Sequence, residues 1–233
     1  MRIVTNEALI QRNKRIGQIA TFSSLAILAA GLILSFSSPN NPNRIILSYV
    51  ALIVGFIVSQ VGIYFGNRWG RSPRPDELLT QGLKGLDDRY TLYHYTTPAS
   101  HLLLGPPGIW VLLPYRQGGV ISYENGRYRQ KGGNWYLKIF GQEGLGRPDV
   151  DATNQVQDVK KLLEKELPEG NALDVNALLV FTNEKVELNL EDAPIPGMTL
   201  KKIKDTIRKK GKDAALTQEQ VKVIAGAFGD EGD

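Results

Sequence analysis

Two uncharged, mostly apolar runs, residues 16–36 and 45–65, dominate the first third of the chain. Each is long enough for the ~20 helical residues that cross a bilayer. Between them, residues 37–44 contain Pro39, Asn40, Asn41, Pro42 and Asn43, which break a helix and whose polar groups need water. The two runs therefore read as a transmembrane hairpin with a short turn. A cleaved signal peptide fits less well, because the first run exceeds the usual apolar core of about 7 to 15 residues and a second run follows at once. Buried soluble helices fit less well too, since neither run has a charged face. Gly55 and Gly62, with Ser48 and Ser59, would allow close helix approach; Gly17 and Gly31 suit a lipid-facing position equally well.

Beyond a Gly- and Pro-containing linker, residues 67–75, the pattern changes to short elements. Leu78, Leu79, Leu83 and Leu86 have helical spacing over residues 76–88, behind Asp76 and Glu77. Residues 90–95 alternate as a strand. The centre is PASHLLLGPPGIWVLLPY, residues 98–115, where the apolar runs 102–104 and 109–113 flank Gly105-Pro106-Pro107-Gly108. The two runs read as paired buried strands joined by a turn. Glu124-Asn125-Gly126 signals a hairpin that continues this sheet. Residues 151–167 carry Val156, Val159, Leu162 and Leu163 at helical intervals, with Asp151 or Thr153 available as cap, and read as a crossover helix. It leads to VNALLVF, residues 175–181, whose unbroken apolar character suits a strand buried on both faces. Residues 186–190 read as an edge strand, 200–212 as a helix, and Thr217 with Gln220 as a capping box for a last helix before the acidic tail GDEGD.

Charge adds orientation and candidate surfaces. The net charge is +4 and the pI near 9.2, which favours anionic partners without choosing between lipid and nucleic acid. Arg2, Arg12, Lys14 and Arg15 precede the hairpin and Arg68, Arg71 and Arg74 follow it, against Arg44 alone in the turn. The positive-inside rule then places both ends in the cytoplasm, with Trp69 and its neighbouring arginines at the headgroup level. Lys131, Trp135, Tyr136, Lys138 and Arg147 mark a Gly-rich stretch able to stack bases or grip phosphates. Lys201, Lys202, Lys209 and Lys210 mark a basic helix suited to anionic lipid. Cysteine is absent and the histidines are His94 and His101, which excludes disulfides, thiol catalysis and a conventional zinc site.

The central strands, the preceding helix DELLTQGLKGLDDR and the following Gly118-Gly119-Val120-Ile121 resemble the nuclease-related domain called NERD, a branch of the restriction-endonuclease-like superfamily. The resemblance implies an α/β fold, a mixed sheet flanked by helices, here preceded by the two-helix transmembrane hairpin. It also implies a metal-binding Asp ahead of a His on the first strand, and Glu and Lys two residues apart on the second. The matching positions hold Ser100, His101, Leu113 and Tyr115; Glu77 matches the family's helical Glu, and Gln155 or Gln157 its helical Gln. Neither Ser nor Leu replaces a carboxylate on a hard cation. The expectation is a fold without the chemistry and without a cofactor. Magnesium belongs only to the alternative of a nuclease using relocated acids, Glu77, Glu124, Asp149 or Asp151. The expected organisation is a basic N-terminus (1–15), the hairpin (16–66), the linker, a NERD-like domain (76–212) and a C-terminal helix with its tail (213–233). Its expected role is a cytoplasmic binding or scaffold module for nucleic acid or a membrane-associated protein, or alternatively a subunit of a membrane complex.

Overall fold

The computed structural model describes residues 1–37, 41–132, 144–167, 173–212 and 215–229. It forms two units, Glu7–Arg74 and a second unit made of Met1–Asn6 together with Pro75–Asp233.

The first unit is a helical hairpin. Helix α1 (Glu7–Ser37) begins well before the apolar run, so residues 7–15, with Arg12, Lys14 and Arg15, add charged turns to its front. Its 31 residues would span about 46 Å, more than the ~30 Å of a hydrocarbon core. Helix α2 (Pro42–Phe65) starts where Pro42 occupies the first turn and the Asn41 side chain accepts from the amides of Asn43 and Arg44 at 3.1 and 3.4 Å. It ends in a single π-helical turn, Gly66–Gly70, which takes the place of the front of the expected linker. Trp69 is buried there with the Arg68 guanidinium 5.7 Å from its ring centre, and so does not face outward as the headgroup reading requires.

Small residues seal the two helices. Gly17, Ser24 and Gly31 of α1 and Ser48, Gly55 and Gly62 of α2 are all buried. A Cβ at Gly62 would lie 2.6 Å from Thr21 Oγ1 and 3.0 Å from its amide nitrogen, and one at Gly31 would lie 3.0 Å from Ala51 Cβ. Gly17 and Gly31 are thus interface residues. The outer surface is the reverse: Phe22 and Phe36 are 72% and 77% exposed, and Leu32, Ile33, Ile46, Ile53 and Phe56 are exposed with them. Water would not tolerate such a surface; lipid would. Both helices have the length and hydropathy to cross a membrane.

The second unit is a mixed α/β structure. Its main sheet has six strands: β1 (Arg2–Thr5), β2 (Thr91–His94), β3 (His101–Gly105), β4 (Gly108–Tyr115), β7 (Val175–Phe181) and β9 (Gly197–Thr199), in that spatial order. The β2–β3 and β3–β4 pairs are antiparallel, and the β1–β2, β4–β7 and β7–β9 pairs parallel. The GPPG turn is present, with Gly105 opposite Gly108. Helix α4 (Pro148–Glu166) makes the crossover to β7; Arg147, not Asp151 or Thr153, occupies its N-cap, and Asp149 and Asp151 fall in its first turn. Alternation along β3, β4 and β7 feeds two cores. Leu102, Leu104, Val111, Leu179 and Phe181 face α4 and α6 (Gln218–Ala227), whereas Leu103, Trp110, Leu112 and Val180 face α3 (Pro75–Gly82) and α5 (Leu200–Lys210). The helix at residue 75 is shorter than expected, ending at Gly82.

Two features depart from the sequence reading. The Asn125-Gly126 hairpin forms, with φ of 52° and 73°, but β5 (Gly119–Glu124) and β6 (Arg127–Lys131) do not extend the main sheet. They build a separate three-stranded sheet, in which β5 also pairs in parallel with β8 (Val186–Asn189). The other departure is β1. Residues 2–5 are not a basic tail but an edge strand in register with residues 91–94, and the amino group of Met1 donates to Leu86 O at 3.2 Å.

Removing β1 should leave the β2 edge bare. The fragment 75–233 should be less stable to urea than the same fragment with residues 1–6 joined ahead of Pro75 by a flexible linker, by about 2 kcal/mol. Equal midpoints would show that the strand pairing contributes nothing. In the hairpin, Gly62→Val should force the helices apart at Thr21 and lower the thermal stability of the detergent-solubilised chain, whereas Ile53→Val on the exposed face should leave it unchanged.

Candidate functional site

The positions that the nuclease resemblance singles out cluster around β2, β3 and β4. His101 opens β3, opposite His94 on β2. Both rings are buried, and their Nδ1 atoms approach to 2.9 Å. One must carry the hydrogen and the other the lone pair. That choice also sets the direction of the contact between Thr80 Oγ1 of α3 and His94 Nε2, at 2.9 Å. A His whose Nδ1 is committed to another ring is held as a packing and hydrogen-bonding residue. The Tyr95 ring closes over His101 at 4.7 Å, from a backbone with φ of 60°. Tyr95 N and Ser100 O close the connection from β2 to β3 at 2.9 Å.

Ser100 is tied by its backbone. Its amide donates to Gln155 Oε1 of α4 at 2.9 Å, a bond that Gln157 does not make. Leu113 is 5% exposed and belongs to the core beneath α4. Tyr115, at the end of β4, stacks on Phe181 at 5.6 Å, with Asp151 near enough to act on its phenol. Burial raises its phenol well above the ordinary tyrosine value, and Asp151 raises it further.

The proposed relocated acids disperse. Asp151 lies near Tyr115, and Asp149 accepts from Arg147 through two bonds of 3.1 and 2.8 Å, which lower its carboxyl below the usual range. Glu124 is lowered by Lys131 and Ser122 on the second sheet. Glu77 lies half-buried in the first turn of α3, next to the buried Asp76. Among the described residues no three His, Cys, Asp or Glu side chains gather within reach of one metal ion.

The candidate cations fare unevenly. Lys131 pairs with Glu124 and Arg147 with Asp149, so neither stands as a ready phosphate ligand. Trp135, Tyr136 and Lys138 lie outside the described residues. On α5, Lys201 pairs with Glu184 at 3.0 Å and Lys210 sits 5.1 Å from the centre of the Trp110 ring, while Arg208 donates to Gly85 O. Lys202 and Lys209 are exposed, as is Lys212 just beyond the end of the helix, whereas Ile203 and Ile207 are buried. Comparison with protein-family models, with curated proteins and with solved structures gives no match.

These contacts make distinct demands. Gln155→Ala should cost about 1 kcal/mol in unfolding experiments by orphaning the Ser100 amide, and Gln157→Ala should be close to neutral. Leu113→Glu should destabilise by more than about 3 kcal/mol, because its charge would enter an apolar core with no cation to meet it. A Leu113→Glu protein as stable as the parent would place this position at a polar surface and revive the metal-site reading.

Proposed function

We propose that the chain is a membrane-anchored binding module, whose α/β domain is held against the cytoplasmic face of a bilayer and performs no metal-dependent nucleolysis. The observation that carries this reading is connectivity. The residues before α1 and those after α2 belong to one folded sheet, with Asn6 alone between β1 and α1. An apolar hairpin whose two ends enter the same sheet must return to the side from which it left. The arginines flanking it point to the cytoplasm.

The nuclease-related ancestry remains part of the proposal. An antiparallel β3–β4 pair followed by a crossover helix and the parallel strand β7 supports it. The packing of Leu113 and the stacking of Tyr115 on Phe181 support a site from which the chemistry has gone. For the basic surface, α5 favours anionic headgroups over nucleic acid: Lys202, Lys209 and Lys212 form no ion pair among the described residues, and tethering makes even weak attraction effective.

Because the chain has no cysteine, Lys209→Cys provides a unique labelling position. In nanodiscs containing anionic lipid, a spin label there should contact the bilayer at low salt and be released in roughly 0.5 M salt, where screening is nearly complete. A label equally mobile in anionic and zwitterionic discs would remove the lipid contact. An external-only reporter fused after Asp233 should be silent in cells, and the purified chain should cleave neither DNA nor RNA in a chelator-sensitive manner.

A further inference from the structure

Along the first half of β7, no strand among the described residues pairs on the side away from β4, and the segment 194–196 lines the space there without forming a ladder. Strand β7 runs through Val175–Phe181, but β9 joins it only from Leu179 onward. Residues 175–178 are thus paired with β4 on one side and have no strand on the other among the described residues. The reason lies in the segment ahead of β9. Pro194 and Pro196 have no amide hydrogen, and the Ile195 amide and carbonyl both bond to the Tyr128 hydroxyl, at 3.2 and 2.8 Å. Only the Pro196 carbonyl reaches β7, accepting from the Leu179 amide at 3.0 Å. The ladder therefore cannot run back along β7.

Beside this edge lies a groove of about 540 Å³. Its floor is Val175, Asn176 and Ala177; Val156 and Lys160 of α4 form one wall, and Trp110 with Lys210 the other. No acidic side chain lines it among the described residues, whereas both walls bring a lysine. We propose that this groove binds an extended, acidic segment of a partner protein, added to the sheet as a further strand on β7. About four residues of the segment would lie along positions 175–178 at ~3.3 Å per residue. Its side chains would alternate between the α4 wall and the Trp110 wall, acidic groups meeting Lys160 and Lys210 and apolar ones meeting Val156. A peptide backbone matches the spacing of a strand edge, which a phosphodiester chain does not. The Trp110 ring is also largely buried and already faces a lysine, which argues against base stacking. This inference goes beyond the anchored-module reading and does not depend on it, since the lysines assigned to lipid are Lys202, Lys209 and Lys212.

The test uses the full chain in zwitterionic nanodiscs and a fluorescein-labelled octapeptide of the repeat Glu-Glu-Val-Val, which turns an acid toward each wall, followed by anisotropy and by amide hydrogen exchange. Binding should appear, with slowed exchange in residues 173–181. Lys160→Glu with Lys210→Glu should weaken it at least tenfold, and Lys160→Gln with Lys210→Gln by a smaller factor. The same peptide N-methylated at alternate residues, which cannot form the ladder, should not bind. No binding at millimolar peptide would overturn the proposal, as would equal binding by both variants, equal binding of the N-methylated peptide, or displacement by oligothymidylate. Unchanged exchange protection in β3 and β4 establishes that each variant is folded; if the charge reversals unfold the domain, the glutamine pair decides alone.

Discussion

The parallel pairing of residues 2–5 with residues 91–94 is the constraint on which the architecture rests. It ties the front of the membrane hairpin to the sheet that follows it. Without that pairing, residues 1–6 would have no partner in the unit that follows α2. With it, the two ends of the hairpin belong to one folded object. Small residues then allow α1 and α2 to lie together as a pair, with Gly62 against Thr21 and Gly31 against Ala51.

Local chemistry made much of the fold legible. The Gly105–Gly108 turn, the Asn125-Gly126 hairpin, the Thr217 capping box and the continuous strand at residues 175–181 are all present, because each depends on residues within a few positions of one another. What could not be read depends on distant partners. The four residues RIVT carry no periodicity to distinguish them from a basic tail, and their pairing partner lies almost ninety positions on. The second sheet was hidden for the same reason: β5 takes β8 as its neighbour from the far side of α4, which no turn signal predicts.

The candidate site shows the same division. That Ser100 and Leu113 bring no carboxylate was plain from their identities. That Gln155 rather than Gln157 reaches Ser100, or that the two histidines meet through Nδ1, required three dimensions. Charge was the least transferable signal. Lys131, Arg147 and Lys201 looked alike as cations, yet each is in an ion pair, whereas Lys202 and Lys209 form none among the described residues.

The position of β1 in the chain bears on how this protein is made. The strand is synthesised before both apolar helices and its partner only after them, so the sheet stays incomplete until the whole hairpin has been made. If the apolar helices enter a bilayer, an arrangement that left the two ends of the hairpin on opposite sides would separate the strand from its partner by the thickness of the bilayer. The domain could then never close its edge. A chain in that state would keep an uncovered strand edge, the feature that invites pairing with the wrong partner.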